Sequence, residues 1–187
     1  MIKVHNSVSI ILYNSTKKSL VFVKQFRPAI YMNEAITEPG EDGSATVDTR
    51  QHPGSRGLSY ELCAGIVDKN KPLAEIAQDE ILEECGYAVP IDRLEKVATY
   101  RTGIGTSGAM GTMFYAEVDD SMVVSSGGGN LAEGELIEVV HLPAEEALDF
   151  LWNDAVNKPG GVLMAVMWFC HNKLPKIKQT ALAEECS

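Results

Sequence analysis

Glu80, Glu83 and Glu84 stand three and four residues apart in the run Asp79-Glu80-Ile81-Leu82-Glu83-Glu84-Cys85-Gly86-Tyr87. On a helix, residues at those spacings share a face, so three carboxylates would project together. They repel one another, and nothing else on such a helix neutralises them. Together they offer only oxygen, the donor that hard divalent cations such as Mg²⁺ select. A bare E-x-x-E-E is more often a solvated acidic face, so the cluster needs a context before it reads as a metal site.

The element that must carry these carboxylates is legible. Residues 72–85 read as a helix, with Pro72 suited to the first turn and Gly86 to the stop. Ala74, Ala77, Ile81 and Cys85 form an apolar stripe on an adjoining face, so the helix is packed rather than free.

Other positions carry chemistry or its outline. Arg27 follows a strand end in Gln-Phe-Arg-Pro, and Pro28 keeps it extended. Its planar fork of donors suits a phosphate, and a surface ion pair is the plainer alternative. Glu133 and Glu135 flank the end of a polar loop, residues 119–134, that contains Gly127-Gly128-Gly129 and leads into a strand. Each is a site carboxylate or simply an exposed one. Glu61 faces either a ligand or the core. Residues 103–108 match G-x-G-x-x-G, but Met113-Phe114-Tyr115 beyond them reads as strand. A dinucleotide fingerprint needs a helix there, so this is a substrate-side loop or a simple turn. The four histidines show no metal-ligand spacing, and neither a nucleophile elbow nor a Walker loop occurs.

Composition narrows the partners. The chain has 187 residues and a formal net charge of −10. An acidic surface argues against nucleic acid and anionic lipid. An anionic substrate would therefore need a bound cation as intermediary. No apolar run is long enough for a bilayer. The apolar N-terminal stretch reads as a strand rather than a signal peptide. Cys63, Cys85, Cys170 and Cys186 include no C-x-x-C pair, which suits reduced thiols in the cytoplasm. Without a secretory signal, Asn14-Ser15-Thr16 is a chance glycosylation motif.

Residues 7–13 and 19–25 read as a hairpin. Residues 28–57 read as one long loop, and loops of that length are usually functional or mobile. Strands follow at 58–63, 94–100, 112–118 and 135–142, helices at 144–152 and 162–172, and a loose tail from about 175. There is no internal repeat or linker, so residues 1–187 are expected to form one domain. Strands and helices mix without regular βαβ alternation. The expected class is α/β, a mixed β-sheet sandwiched between α-helices.

Gly65, Glu80, Ile81, Glu83, Glu84, Gly86 and Tyr87 fall at the spacings of G-x5-E-x7-R-E-U-x-E-E-x-G-U, where U is bulky and apolar. The segment resembles the box of the Nudix hydrolase family. Two positions depart: Lys71 replaces the first Glu and Asp79 the Arg. The runs 23–29, 60–65 and 133–139 also look like the branch that cleaves ADP-ribose and UDP-sugars, and the likeness extends from about His5 to about Trp168. The resemblance implies the Nudix fold and Mg²⁺ as cofactor, with Mn²⁺ as substitute. It implies Glu80, Glu84, Glu135 and the Ala64 carbonyl as metal ligands, and Glu83 binding or supporting the metal. Glu133 becomes the general base, and Arg27 and Glu61 become substrate contacts.

The implied reaction is hydrolysis of a nucleoside diphosphate sugar, UDP-glucose yielding UMP and glucose 1-phosphate. ADP-ribose is the alternative substrate, and a non-catalytic nucleotide-sugar binding module the alternative of another class. By resemblance the chain forms a homodimer. An additional N-terminal β segment helps form the dimer in that branch, and this chain is expected to begin after it. With Asp79 in place of Arg, a cation from elsewhere, such as Arg56 or Arg101, is expected to orient the carboxylates.

Overall fold

The computed structural model describes residues 2–35, 38–39 and 45–185. β1 (Ser7–Asn14) and β2 (Ser19–Phe26) are β-branched and apolar, and they form the expected hairpin. Asn14 Oδ1 accepts from the Lys17 amide at 2.7 Å, closing the turn. Asn14 is fully buried, with its Nδ2 donating to Tyr87 Oη and Asp120 Oδ1.

The two strands pair only from Leu12↔Val21 to Asn14↔Ser19 and then diverge. β1 continues against β6 (Cys63–Ile66), and β2 against β5 (Leu58–Glu61). Only Leu62 separates β5 from β6, so this stretch bridges the fork between β1 and β2. One strand, at 58–63, is expected there. The chain makes two because it changes partner midway.

β7 (Glu95–Thr102) and β8 (Ala109–Val118) extend the sheet beyond β1, and β9 (Ile137–Pro143) flanks β2. The β1–β8 seam is parallel and the other neighbours are antiparallel, a seven-stranded mixed sheet. Residues 103–108 are the turn between β7 and β8, with no helix after them.

Successive side chains of β1 point to opposite faces. Ile10 and Leu12 join a core with Ile76, Ala77, Ile81 and Cys85 of the glutamate helix. Ile11 and Tyr13 join another with Val162, Ala165, Val166 and Phe169. The second face is covered by α3 (Ala147–Trp152) and α4 (Gly160–Asn172). Helices thus cover both faces of the sheet, the α/β class expected.

Two expectations are corrected. Residues 28–57 are not one loop. They hold α1 (Pro28–Glu34), the short pair β3 (Glu38–Pro39) and β4 (Ala45–Thr46), and a 3₁₀ turn at Gly54–Gly57. Pro28 sits in the first turn of α1, where its missing N–H costs nothing. Residues 175–185 are not loose but lie in α5 (Leu174–Glu185), whose Leu174 and Ile177 pack on the second core. Among the described residues no helix is long and apolar enough to cross a membrane. Cys63, Cys85 and Cys170 are free thiols, and Cys186 lies outside the described residues.

Candidate active site

The glutamate helix is α2 (Leu73–Glu80), which runs directly into a single π turn, Ile81–Cys85. Gly86 ends it at φ 78°, a left-handed value that glycine adopts without cost. The expected stripe is real: Ala77, Ile81 and Cys85 are buried and Ala74 packs against the same core. That packing leaves the carboxylates at three depths, with Glu80 and Glu84 against β6. Glu84 is buried at 4% exposure, Glu80 is half-buried and Glu83 is exposed.

Gly65 is required by Glu80. A Cβ at Gly65 would stand 2.0 Å from Glu80 Cδ and 2.1 Å from its Oε1, so the carboxyl lies against bare backbone. One residue earlier, the Ala64 amide donates to Glu84 Oε2 at 2.9 Å. β6 and the helix are therefore joined through both carboxyls, which explains the spacing between Gly65 and the glutamates.

These groups are electrostatically tense. Burial, and then the neighbouring Glu83 charge, raises Glu80 to about 7. Burial raises Glu84 to about 8 against the pull of the Ala64 amide and the Cys63 thiol, with Glu80 and Glu135 adding repulsion. Glu135 acts on both, so the structure brings it to the cluster. The Asn130 amide donates to Glu135 Oε2 at 3.0 Å. Glu133 closes the turn Leu131–Glu133, but its side chain lies outside the described residues.

Arg27 binds Glu61 through two parallel bonds, Nε to Oε1 at 2.8 Å and Nη2 to Oε2 at 2.7 Å. That bond raises the Arg27 pKa, and the charges of Glu84 and Glu135 add to the rise. The guanidinium thus sits within the field of the cluster, with Nη1 unpartnered among the described residues. Arg27 is at once in an ion pair and near enough to Glu84 and Glu135 to feel their charge.

Among the described residues no group of three His, Cys, Asp or Glu side chains stands ready to hold a metal. Glu80 rests on Gly65 and Glu84 is engaged by Ala64 and Cys63. The donor set still suits a hard cation: it is all oxygen, desolvated and self-repelling. Sequence reasoning did not find the Cys63 and Asn130 contacts, which join residues distant in the chain or of unremarkable type. Nor did it find that Lys71 meets Asp79, although their opposite charges at the two departing positions were the available signal.

The glutamate helix docked on its glycine agrees with the Nudix class, and curated relatives matched over most of their length show that the chain belongs to the Nudix hydrolases. No family profile matches the chain. Among individual relatives, it is 47% identical over 174 residues to the uridine diphosphate glucose pyrophosphatase NUDT14 of Bos taurus, covering 89% of this chain and 78% of that one. The Mus musculus protein of the same name is 44% identical over 182 residues, 94% of this chain and 82% of that one. A GDP-mannose pyrophosphatase of Cronobacter sakazakii is 32% identical over 159 residues, 85% and 71% of the two chains.

Proposed function

We propose that this hydrolase cleaves the diphosphate of a nucleoside diphosphate sugar, UDP-glucose foremost, giving UMP and glucose 1-phosphate. One observation carries the reading: two desolvated carboxyls, Glu80 at about 7 and Glu84 at about 8, packed on Gly65 and Ala64 beside Arg27. Burying carboxyls together is costly unless a cation joins them. The names of the relatives support a nucleotide-sugar substrate and speak against a non-catalytic binding module.

Glu80, Glu84, Glu135 and the Ala64 carbonyl would hold Mg²⁺, with Mn²⁺ as substitute, and Glu83 would support it. When bound, the ion neutralises phosphate charge, lowers the pKa of a bound water and steadies the leaving oxygen. The chain's own groups do the rest. Arg27 presents its free Nη1 edge to a phosphate oxygen, and Glu61 holds the guanidinium in plane. Glu133 accepts a proton from the attacking water. The water oxygen bonds to one phosphorus, the bridging P–O bond breaks, and the two monophosphates leave.

We read residues 1–187 as one domain and the enzyme as a cytoplasmic homodimer that binds neither nucleic acid nor membrane. The acidic charge and the scarcity of cysteines support that reading. A substrate panel of UDP-glucose, GDP-mannose and ADP-ribose with Mg²⁺, followed by phosphorus NMR, tests the function. UDP-glucose should give two monoesters fastest. Faster cleavage of ADP-ribose would move the assignment to that substrate, and no turnover of any member would overturn it. Sedimentation tests the dimer.

A further inference from the structure

Residues 127–129 are three consecutive glycines with positive φ, 63°, 113° and 76°. Side chains disfavour such a run, and glycine does not. Two of the three also have no room for a side chain. A Cβ on Gly127 would stand 2.3 Å from the Glu84 carbonyl oxygen. One on Gly129 would stand 2.9 Å from Glu135 Cβ and 3.0 Å from Glu135 Oε2.

The backbone of the same residues bonds on both sides. The Gly128 amide donates to the Glu84 carbonyl at 2.9 Å, and the Gly129 amide to the Glu83 carbonyl at 3.2 Å. Both carbonyls belong to the π turn that ends α2, where acceptors lack donors from the helix itself. The Gly128 carbonyl accepts from the Ile137 amide, at the start of β9, at 3.2 Å. Directly after the glycines, Asn130 grips Glu135 twice. Its amide donates to Glu135 Oε2 at 3.0 Å, and its carbonyl accepts from the Glu135 amide at 3.1 Å.

We propose that Gly127, Gly128 and Gly129 are positioning residues, a backbone strap that sets Glu135, and the turn bearing Glu133, in register with Glu83 and Glu84. This rests on the reading of that cluster as the hydrolytic site. The strap works because it has no side chains. Its amides reach the helix carbonyls, and Gly129 leaves the Glu135 carboxylate the space it occupies.

The test is Gly129→Ala, with Gly108→Ala as the control for backbone strain. Gly108 has φ 64° with nothing within 4 Å of a Cβ, and it lies in the β7–β8 turn. Gly129→Ala should lower kcat on the order of 10- to 100-fold, as a misplaced catalytic group does, and leave KM for the nucleotide sugar unchanged. Its loss should vanish in a Glu135→Gln background, because a strap acting through Glu135 has nothing left to place. Equal losses in both backgrounds, or a Gly108→Ala loss as large, would overturn the proposal. Amide exchange of the unaltered protein is a second measurement, independent of turnover and of whether Gly129→Ala folds. The Gly128 and Gly129 amides should exchange as slowly as those of α2, and exchange at the rate of the β7–β8 turn would also overturn it. If the unaltered protein cleaves no nucleotide sugar yet protects these amides, the functional reading fails and the strap stands.

Discussion

Lys71 Nζ stands 2.6 Å from Asp79 Oδ2, joining the loop that enters α2 to the last turn of that helix. These are the two positions at which the chain departs from its family's box, where a Glu and an Arg stand. The signs at the two positions are exchanged, and in this chain the opposite charges face each other. The cation expected from Arg56 or Arg101 is not supplied by either. Arg56 Nη1 lies 3.2 Å from His52 Nδ1, and Arg101 Nη1 donates to the Gly108 carbonyl at 2.9 Å. Lys71 does not reach the clustered glutamate carboxylates either, but it pairs with Asp79, so Asp79 is not an uncompensated fourth charge beside Glu80.

This pair makes a sharp prediction. Asp79→Arg alone sets two cations together and should lower kcat/KM on the order of tenfold by displacing the entry loop. Adding Lys71→Glu restores opposite signs and should recover most of the loss. The pair is exposed, so stability should change little in any of the three proteins. A double-mutant cycle on kcat/KM decides it, and additive losses would show that the contact does not matter.

The pH dependence of the cation-free protein follows from Glu80 and Glu84. Both native values, about 7 and about 8, lie above the ordinary carboxyl value of 4.5. Between 4.5 and 8 the folded protein therefore holds protons that the unfolded chain has released. Stability must fall as pH rises through that window and level off above it. Melting with chelator should show a drop on the order of 5 °C or more between pH 5 and pH 8. Added Mg²⁺ should flatten the slope, because the ion takes the place of the protons. A slope of opposite sign would mean that the carboxyls are ionised in the native state.

Glu84→Gln separates charge from shape. The amide oxygen can still accept from Ala64, while the charge that burial penalises is gone. At pH 8 the cation-free variant should melt no lower than the parent. Turnover should fall on the order of 100- to 1,000-fold, the usual cost of one electrostatic group at a reaction centre. Circular dichroism with a turnover assay would check both, and an unfolded variant would assign Glu84 a structural role instead.

How far the sequence revealed this arrangement depended on the range of the contact. The strands of the first hairpin and the glutamate helix announce themselves through local periodicity, and the expected boundaries fall within a residue or two. Gly65 is readable as a fixed spacing, although only the structure shows that Glu80 fills its missing side chain. The helices α1 and α5 were hidden by Pro28, Pro175 and polar residues. α5 has few apolar positions, and it is held through Leu174 and Ile177 against a core assembled elsewhere. Glu135 was placed by analogy, and its fixing to Asn130 and Gly129 depends on three positive φ values that no composition reveals.

Arg27 and Glu61 offer the last test. Their bidentate contact consumes Nε and Nη2 and leaves the Nη1 edge for an incoming anion. Lysine keeps the charge but cannot hold Glu61 with two bonds and a phosphate oxygen at once. Arg27→Lys should therefore raise KM for the nucleotide sugar on the order of tenfold, the weight of about one charge-assisted hydrogen bond. kcat should change less, because in the proposed mechanism other groups act on the reacting water. Glu61→Gln weakens the hold on the guanidinium without removing it, so it should raise KM in the same direction by a smaller factor. If Glu61 instead contacts the sugar directly, its substitution should change the preference among UDP-glucose, GDP-mannose and ADP-ribose, whereas loss of orientation alone should weaken all three alike. Measuring kcat and KM for each substrate with both variants distinguishes these outcomes.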